Sequence, residues 1–323
     1  MIRTILLVLL LIPPLHASAT EMDREALNRF IDEVSSRHQI PRGELEALFE
    51  RVRFRDEIIR AISNPAEARP WYQYRPIFLT EERVAGGVAF WESNRQLLEK
   101  AEAAYGVPAE IIVAILGVET RYGRYKGRHR VLESLATLAF GYPKRARFFR
   151  RELEEFILLA REEGMDPLAL KGSYAGAMGG PQFISSSYRR YAVDFDGDGQ
   201  RNLFASTADM IGSVAHYFRR HGWQPGQPVA SRSHVEGDGY RELVGQGLKP
   251  RYTVAQFRER QVIPEDPLPA EALATLVELE LEEGHEYWLG LQNFYVITRY
   301  NHSPLYAMAV WLLSQEIAAR RGS

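Results

Sequence analysis

Three groups of residues have the types and spacing that chemistry requires. Glu119 closes an apolar run from Ile111 to Val118 and is followed by Thr120-Arg121-Tyr122-Gly123. A carboxyl at the end of an apolar helix loses solvation of its charged form, which raises its pKa until it can hold a proton near neutral pH. That property suits a general acid. The alternative is a buried Glu119 paired with Arg121 or Arg124, which would lower the pKa instead. The second group runs from Lys171 to Phe183. Its four glycines, Gly172, Gly176, Gly179 and Gly180, would let backbone approach a ligand, and Ser173 and Gln182 offer side-chain hydrogen bonds. The spacing is not that of a phosphate loop, and taken alone the run is better read as a surface turn. In the third group Asp194, Asp196 and Asp198 stand at positions 1, 3 and 5 of a loop with Gly199 at position 6. Calcium loops begin this way, because the ion needs hard oxygen ligands and the chain needs a sharp turn. The pattern then breaks: position 12 is Ala205, position 8 is Arg201, and Asp209 at position 16 is the nearest acid that could close a longer loop. A metal-free Asp-Gly turn is the alternative.

Helices must position most of these groups. Asp23 to Glu33, Arg42 to Ile62 and Ser93 to Tyr105 carry apolar residues at helical spacing. Pro70, Pro76, Gly86 and Gly87 mark a looser stretch between them. Pro108 opens the Glu119 helix at its first position, and Ile111 to Val118 is apolar almost all round, so that helix belongs in the middle of a core. Val131 to Phe140 and Phe148 to Arg161 read as two further amphipathic helices, the second stopped at Gly164. From 224 to 270 proline and glycine are dense and no helical period is sustained, which predicts loops and short strands. Val277, Leu279 and Leu281 alternate with glutamates before a Glu-Gly-His turn and Tyr287-Trp288-Leu289, a hairpin pattern with one buried face. Ser303 and Pro304 then restart a helix as N-cap and first residue. The fold class is α+β and predominantly helical, with a helical body bracketing a small β-rich insertion.

Composition narrows the function. The 323 residues carry 40 basic and 42 acidic side chains and no cysteine. Disulfide frameworks, thiolate metal sites, cysteine nucleophiles and lipidation at cysteine are excluded. A near-neutral balance also argues against a general nucleic-acid binder. Arg3, the apolar run from Ile5 to Ile12 and Ala17-Ser18-Ala19 form a signal-peptide pattern, with cleavage expected after Ala19 and a periplasmic destination. The run is too short for an ordinary membrane span.

Taken in order, these residues resemble the membrane-bound lytic murein transglycosylase B family. The resemblance is carried by Ile115-Leu116-Gly117-Val118-Glu119-Thr120-Arg121-Tyr122-Gly123, Gly172-Ser173, Gly176-Ala177-Met178-Gly179 to Gln182-Phe183, the Asp194 to Gly199 loop, and Tyr300-Asn301. It implies a lysozyme-like core with an additional helical region and a small β-rich domain. The resulting division is a signal peptide at 1–19, an N-terminal helical region at 20–105, a catalytic core at 106–223, the β-rich domain at 224–290, and a segment at 291–323 returning to the core. The implied activity is cleavage between N-acetylmuramic acid and N-acetylglucosamine in peptidoglycan, leaving a 1,6-anhydromuramoyl end. Glu119 matches the single catalytic acid. Ser173 and Asn301 match polar groups around the reacting muramoyl unit, and Tyr74, Tyr217, Tyr300, Tyr306, Gln182 and Phe183 match positions lining the glycan groove. Asp194, Asp196, Asp198, Gln200 and Asp209 match a structural calcium loop, and no cofactor is implied for the chemistry. Glycan strands are the expected partner, with cell-wall synthesis proteins a further class and neither nucleic acid nor a stable membrane anchor expected. Many relatives are lipoproteins, which a chain without cysteine departs from.

With one evident carboxylate, Glu119 would protonate the leaving oxygen and then take the proton of the sugar's own 6-hydroxyl as that group attacks, tethered and so favoured over water. Two rivals remain at this stage. One is a hydrolase using a second acid such as Glu133 or Asp209; the other is a noncatalytic glycan-binding protein.

Overall fold

The computed structural model describes residues 23–63 and 69–322. The expected signal segment, 1–19, lies outside the described residues. Helices α1 (Arg24–His38), α2 (Arg42–Glu50) and α3 (Asp56–Ile62) open the chain. The stretch expected as one helix over 42–62 is therefore two. Its periodicity survives the break because the intervening turn keeps the apolar faces on one side, while Arg55 N–H leaves the helical pattern to donate to Thr137 Oγ1 at 3.2 Å.

A second correction concerns 70–93, which forms α4 (Trp71–Phe78) and α5 (Glu81–Ser93) rather than a loose stretch. Pro76 sits near the end of α4, and Gly86 and Gly87 are packing residues. A Cβ on Gly86 would lie 2.9 Å from the Tyr122 ring, and one on Gly87 would lie 2.4 Å from Ile317. Glycine is required here because other elements press against the helix, not because the chain turns.

Helix α6 (Arg95–Tyr105) leads to α7 (Ala109–Thr120), in which Ala109, Ile111–Val118 and Thr120 are all buried. Pro108 is its N-cap, one position earlier than expected. The two-residue strands β1 (His129–Arg130) and β2 (Lys171–Gly172) pair antiparallel around α8 (Val131–Gly141) and α9 (Ala146–Glu162). Gly164, at φ +63°, follows α9 as expected. After α10 (Ser185–Tyr191) and α11 (Thr207–Arg220) comes a five-stranded antiparallel sheet of β3 (Ala230–Val235), β4 (Tyr252–Thr253), β5 (Val262–Pro264), β6 (Leu273–Glu280) and β7 (His285–Gly290), in the order β4-β6-β7-β3-β5. The β6–β7 hairpin has Val277 opposite Trp288 and turns at Gly284, φ +76°. A short helix, α12 (Val254–Glu259), interrupts the expected loops, nucleated by a capping box between Thr253 and Gln256. The chain ends in α13 (Gln292–Thr298) and α14 (Pro304–Gly322), with Ser303 Oγ accepting from Tyr306 N–H.

Three apolar clusters hold these elements. One joins α4–α7 to α11, α13 and α14; a second joins α1–α3 to α8–α10; the third lies within the sheet region. Helix α7 is the centre of the first, and burying an average aliphatic side chain there is worth about 2 kcal/mol. Among the described residues no single helix is long and apolar enough to cross a membrane.

Candidate active site

The last turn of α7 sets the position of Glu119. Arg121 and Tyr122 both adopt left-handed backbone, φ 48° and 62°, and their N–H groups return to Gly117 O at 3.2 Å and Leu116 O at 2.9 Å. The helix therefore stops sharply at the residue after the acid. Tyr122 folds back on α7, so that a Cβ on Gly117 would meet its ring and hydroxyl at 2.7–2.8 Å, and its O–H donates to Arg83 O at 2.5 Å. Thr120, buried beside Glu119, donates to Gly180 O at 2.8 Å and accepts from Gly123 N–H. One side chain thus ties the acid's helix to the glycine-rich run.

Glu119 is half-buried, and Tyr306 O–H donates to its Oε1 at 2.5 Å. Tyr306 comes from the first turn of α14 and stacks on Tyr300, with ring centroids 6.4 Å apart and planes 11° from parallel. Burial holds both phenols well above their usual pKa, and the Glu119 charge pushes in the same direction. Both therefore remain donors at any working pH, Tyr300 toward Pro181 O at 2.6 Å and Tyr306 toward the acid.

The glycines of the Lys171–Phe183 run pack against the protein's own chain. A Cβ on Gly172 would lie 2.1 Å from Ala177 O, one on Gly179 2.4 Å from Leu203 O, and one on Gly180 2.4 Å from Met210 Sδ. These glycines admit close approach by the protein's own chain, which sequence spacing cannot distinguish from approach by a ligand. Ser173 Oγ accepts from Ala175 N–H at 3.2 Å and Ala177 N–H at 3.0 Å, which shapes the loop and leaves the hydroxyl proton to be donated. Gln182, at φ +53°, spends its amide N–H groups on Gly179 O and Lys126 O.

The remaining aromatic residues form one chain of ring contacts. Phe183 is buried against Tyr217 and Tyr300, with centroids 5.5 and 5.8 Å away. Tyr217 is also buried, and its O–H donates to Arg299 O at 2.6 Å. Tyr74 is fully buried between Trp71 and Phe78 and lies close enough to Tyr306 to influence its charge. Phe183, Tyr217 and Tyr74 thus stand behind Tyr300 and Tyr306. Asn301 is half-buried next to Tyr300. Sequence reasoning missed Thr120 and Tyr122 as positioning residues, although both sit in the run that drew attention to Glu119.

Neither candidate second acid is free to serve Glu119. Glu133 is bound to Arg55 Nε at 2.9 Å and lines a cavity whose walls do not include Glu119. Asp209 is wholly buried and accepts from Phe195 N–H at 2.8 Å and Asn202 N–H at 2.7 Å.

Asp209 belongs to the acidic loop. One oxygen from each of Asp194, Asp196 and Asp209 lies within 4.8 Å of the others. The loop runs long because Asn202 Oδ1 accepts from Phe204 and Ala205 N–H, forming a turn, and Ser206 then caps α11, whose first turn carries Asp209. Asp198 lies outside the converging set, its Oδ1 accepting from Gln200 N–H at 2.8 Å. Three backbone N–H groups hold the Asp194 carboxyl below its usual range, whereas burial pushes Asp209 up.

The chain is similar to proteins of known family. Residues 22–315 match the Transglycosylase SLT domain. The membrane-bound lytic murein transglycosylase B of Escherichia coli is 45% identical over 303 residues, covering 91% of this chain and 82% of that protein. The soluble lytic transglycosylase SltB1 of Pseudomonas aeruginosa superposes with a TM-score of 0.87 at 48% identity, over 92% of this chain and 99% of that one. Escherichia coli lytic transglycosylase Slt35, solved in complex with calcium, gives 0.86 at 44% identity, over 97% and 100%. With the SLT domain spanning nearly all of its described residues and Glu119 fixed by Tyr306 at the end of a buried helix, the chain belongs to the lytic transglycosylases of the murein transglycosylase B type.

Proposed function

We propose that this lytic transglycosylase cleaves the bond between N-acetylmuramic acid and N-acetylglucosamine in peptidoglycan, with Glu119 as acid and then base. The observation that carries this reading is the Glu119–Tyr306 hydrogen bond, set in a region where the two other candidate carboxylates are otherwise engaged. Protonated Glu119 donates to the leaving glycosidic oxygen. The resulting carboxylate receives the proton of the muramoyl 6-hydroxyl as that oxygen attacks the anomeric carbon, closing the 1,6-anhydro ring. Tyr306, a neutral donor throughout, holds Oε1 in one orientation and supports the charge while it is present. Tyr300 and Tyr306 offer aromatic surface to the sugar, and Ser173 and Asn301 offer polar contacts to its substituents. Muropeptides released from purified sacculi should carry anhydro ends, one water lighter than lysozyme products. Reducible muramic ends as the main product would replace this reading with hydrolysis.

The acidic loop suits calcium by its donor set: three carboxylates converge, and one of them is buried without a countercharge among the described residues. Asp194, Asp196 and Asp209 would hold the ion, with Asp198 and the Gln200 carbonyl as further oxygen donors. Its contribution would be to loop stability rather than to proton transfer. The division at 105/106, 223/224 and 290/291, export of the chain to the periplasm and contact with cell-wall synthesis proteins belong to the same proposal, supported by the N-terminal pattern and the family.

A further inference from the structure

A hollow of about 20 Å³ lies between the start of α5 and the turn that follows α7, and Thr80, Glu82, Arg83, Arg121, Tyr122 and Arg124 are among its walls. Glu119 is not, so the hollow has no part in the proton transfer described above. It has room for about one oxygen atom.

Arg83 is its buried member. It is 8% exposed, yet its Nε and Nη1 have no hydrogen-bond partner among the described residues. Its Cζ stands 5.1 Å from the centre of the Phe78 ring, a contact that covers one face of the guanidinium and leaves its in-plane N–H groups without acceptors. Burial lowers the Arg83 pKa and the Arg121 charge lowers it further, so two like charges meet here. Arg121 reaches only Glu82, at 4.0 Å, and that carboxylate is 72% exposed. Arg124 makes no ion pair among the described residues. Three guanidinium groups against one carboxylate leave the hollow with a net charge of +2.

A buried guanidinium without acceptors is costly, and an oxygen-bearing anion would relieve both that cost and the repulsion from Arg121. Volume and charge narrow the class of anion. One oxygen enters, and the remainder stays at the mouth beside the exposed Arg121 and Arg124. A carboxylate brings a single charge and one further oxygen. A phosphate monoester brings two charges and oxygens directed several ways, which suits a net +2 spread over three guanidinium groups. We propose that this hollow binds a phosphate dianion, free or as a monoester, with one oxygen on Arg83 and the others on Arg121 and Arg124. The anion then bridges α5 to Arg121, the C-cap of α7, and braces the turn that ends the acid's helix. Arg121 also stacks on Tyr125, at 5.4 Å, a ring 65% exposed beside the mouth, so a lipid headgroup at a bilayer surface and a free phosphate both suit this chemistry.

The test titrates the protein calorimetrically with inorganic phosphate at an ionic strength held constant with chloride. Melting temperature should rise as phosphate passes its dissociation constant. Arg121→Gln combined with Arg124→Gln should weaken binding about tenfold or more, the loss expected for a charge-assisted contact. Glu82→Gln, which removes the competing carboxylate, should tighten it roughly two- to fivefold. Arg83→Gln should lose at least as much as the exposed pair, and that pair carries the test if the Arg83 variant does not fold. Absence of phosphate binding, binding that survives the double substitution or ignores Glu82→Gln, or acetate binding as tightly as phosphate would overturn the proposal. Sedimentation with phosphatidylcholine vesicles, with and without phosphatidic acid, separates the two sources. Retention that requires phosphatidic acid and is lost in the double variant assigns a lipid headgroup, whereas phosphate binding without retention assigns the free anion.

Discussion

At the scale of single residues, the site is a carboxyl held by a phenol. Glu119→Gln keeps the shape and an acceptor for Tyr306 but removes the transferable proton. Turnover should fall by at least about 100-fold, the lower range of general acid catalysis, with an unchanged melting temperature. Near-normal muropeptide release by the folded variant would place the acid elsewhere. Ser173→Ala should cost less, because it removes a loop acceptor and the proposed substrate contact but no transferred proton. The sequence singled out Glu119 by an isolated charge at the end of an apolar run. It could not distinguish Tyr306, which faces the acid, from Tyr217 and Tyr74, which stand behind, because residue type and local spacing do not say which ring long-range packing brings to Glu119.

At the scale of elements, two contacts carry testable energy. Helices α5 and α7 approach Tyr122 at Gly86 and Gly117, and the ring is fixed by its bond to Arg83 O. Gly117→Ala should therefore destabilise the protein by about 1–3 kcal/mol, the usual cost of overpacking, and should also lower turnover by shifting the turn after Glu119. A variant as stable and active as the parent would show that the ring yields. The second contact joins α9 to α10, where buried Glu152 accepts from Ser186 N–H at 2.9 Å and Ser186 Oγ at 2.8 Å. Burial raises the Glu152 pKa from 4.5 against the lowering effect of those bonds, so the native state holds this proton more tightly than the unfolded chain. Its contribution to stability is complete below pH 4.5 and is lost as pH rises through the raised value. Glu152→Gln, which does not titrate, should gain melting temperature relative to the parent between pH 4 and pH 7, as checked by scanning calorimetry. A difference constant with pH would mean that Glu152 does not titrate in that window.

At the scale of the whole molecule, calcium is the simplest probe of how the acidic loop supports the fold. An ion bound by Asp194, Asp196 and Asp209 would favour the native state alone, so melting temperature should climb as calcium passes its dissociation constant and should return in chelator. Asp209→Asn should weaken that response. Equal melting in chelator and in millimolar calcium would leave the loop a metal-free turn. The helical body, the β6–β7 hairpin, the Ser303 cap and the core position of α7 were legible in the sequence, because periodicity and capping act over a few neighbouring residues. Glu119 and the acidic loop also stand out in the sequence, because each motif is contiguous. The helices at 71–93 were not, because proline and glycine signal a break locally while Gly86 and Gly87 are there for Tyr122 and Ile317, which arrive from residues 35 and more positions away. The same holds for Tyr306 meeting Glu119 across 187 residues, and for the hollow assembled from residues near 83 and 121. Sequence alone determined which groups could carry protons and ions, since chemical identity and near-neighbour spacing reside in the chain. Tertiary structure alone decided which of them meet, because that depends on long-range packing that places distant segments within ångströms of each other.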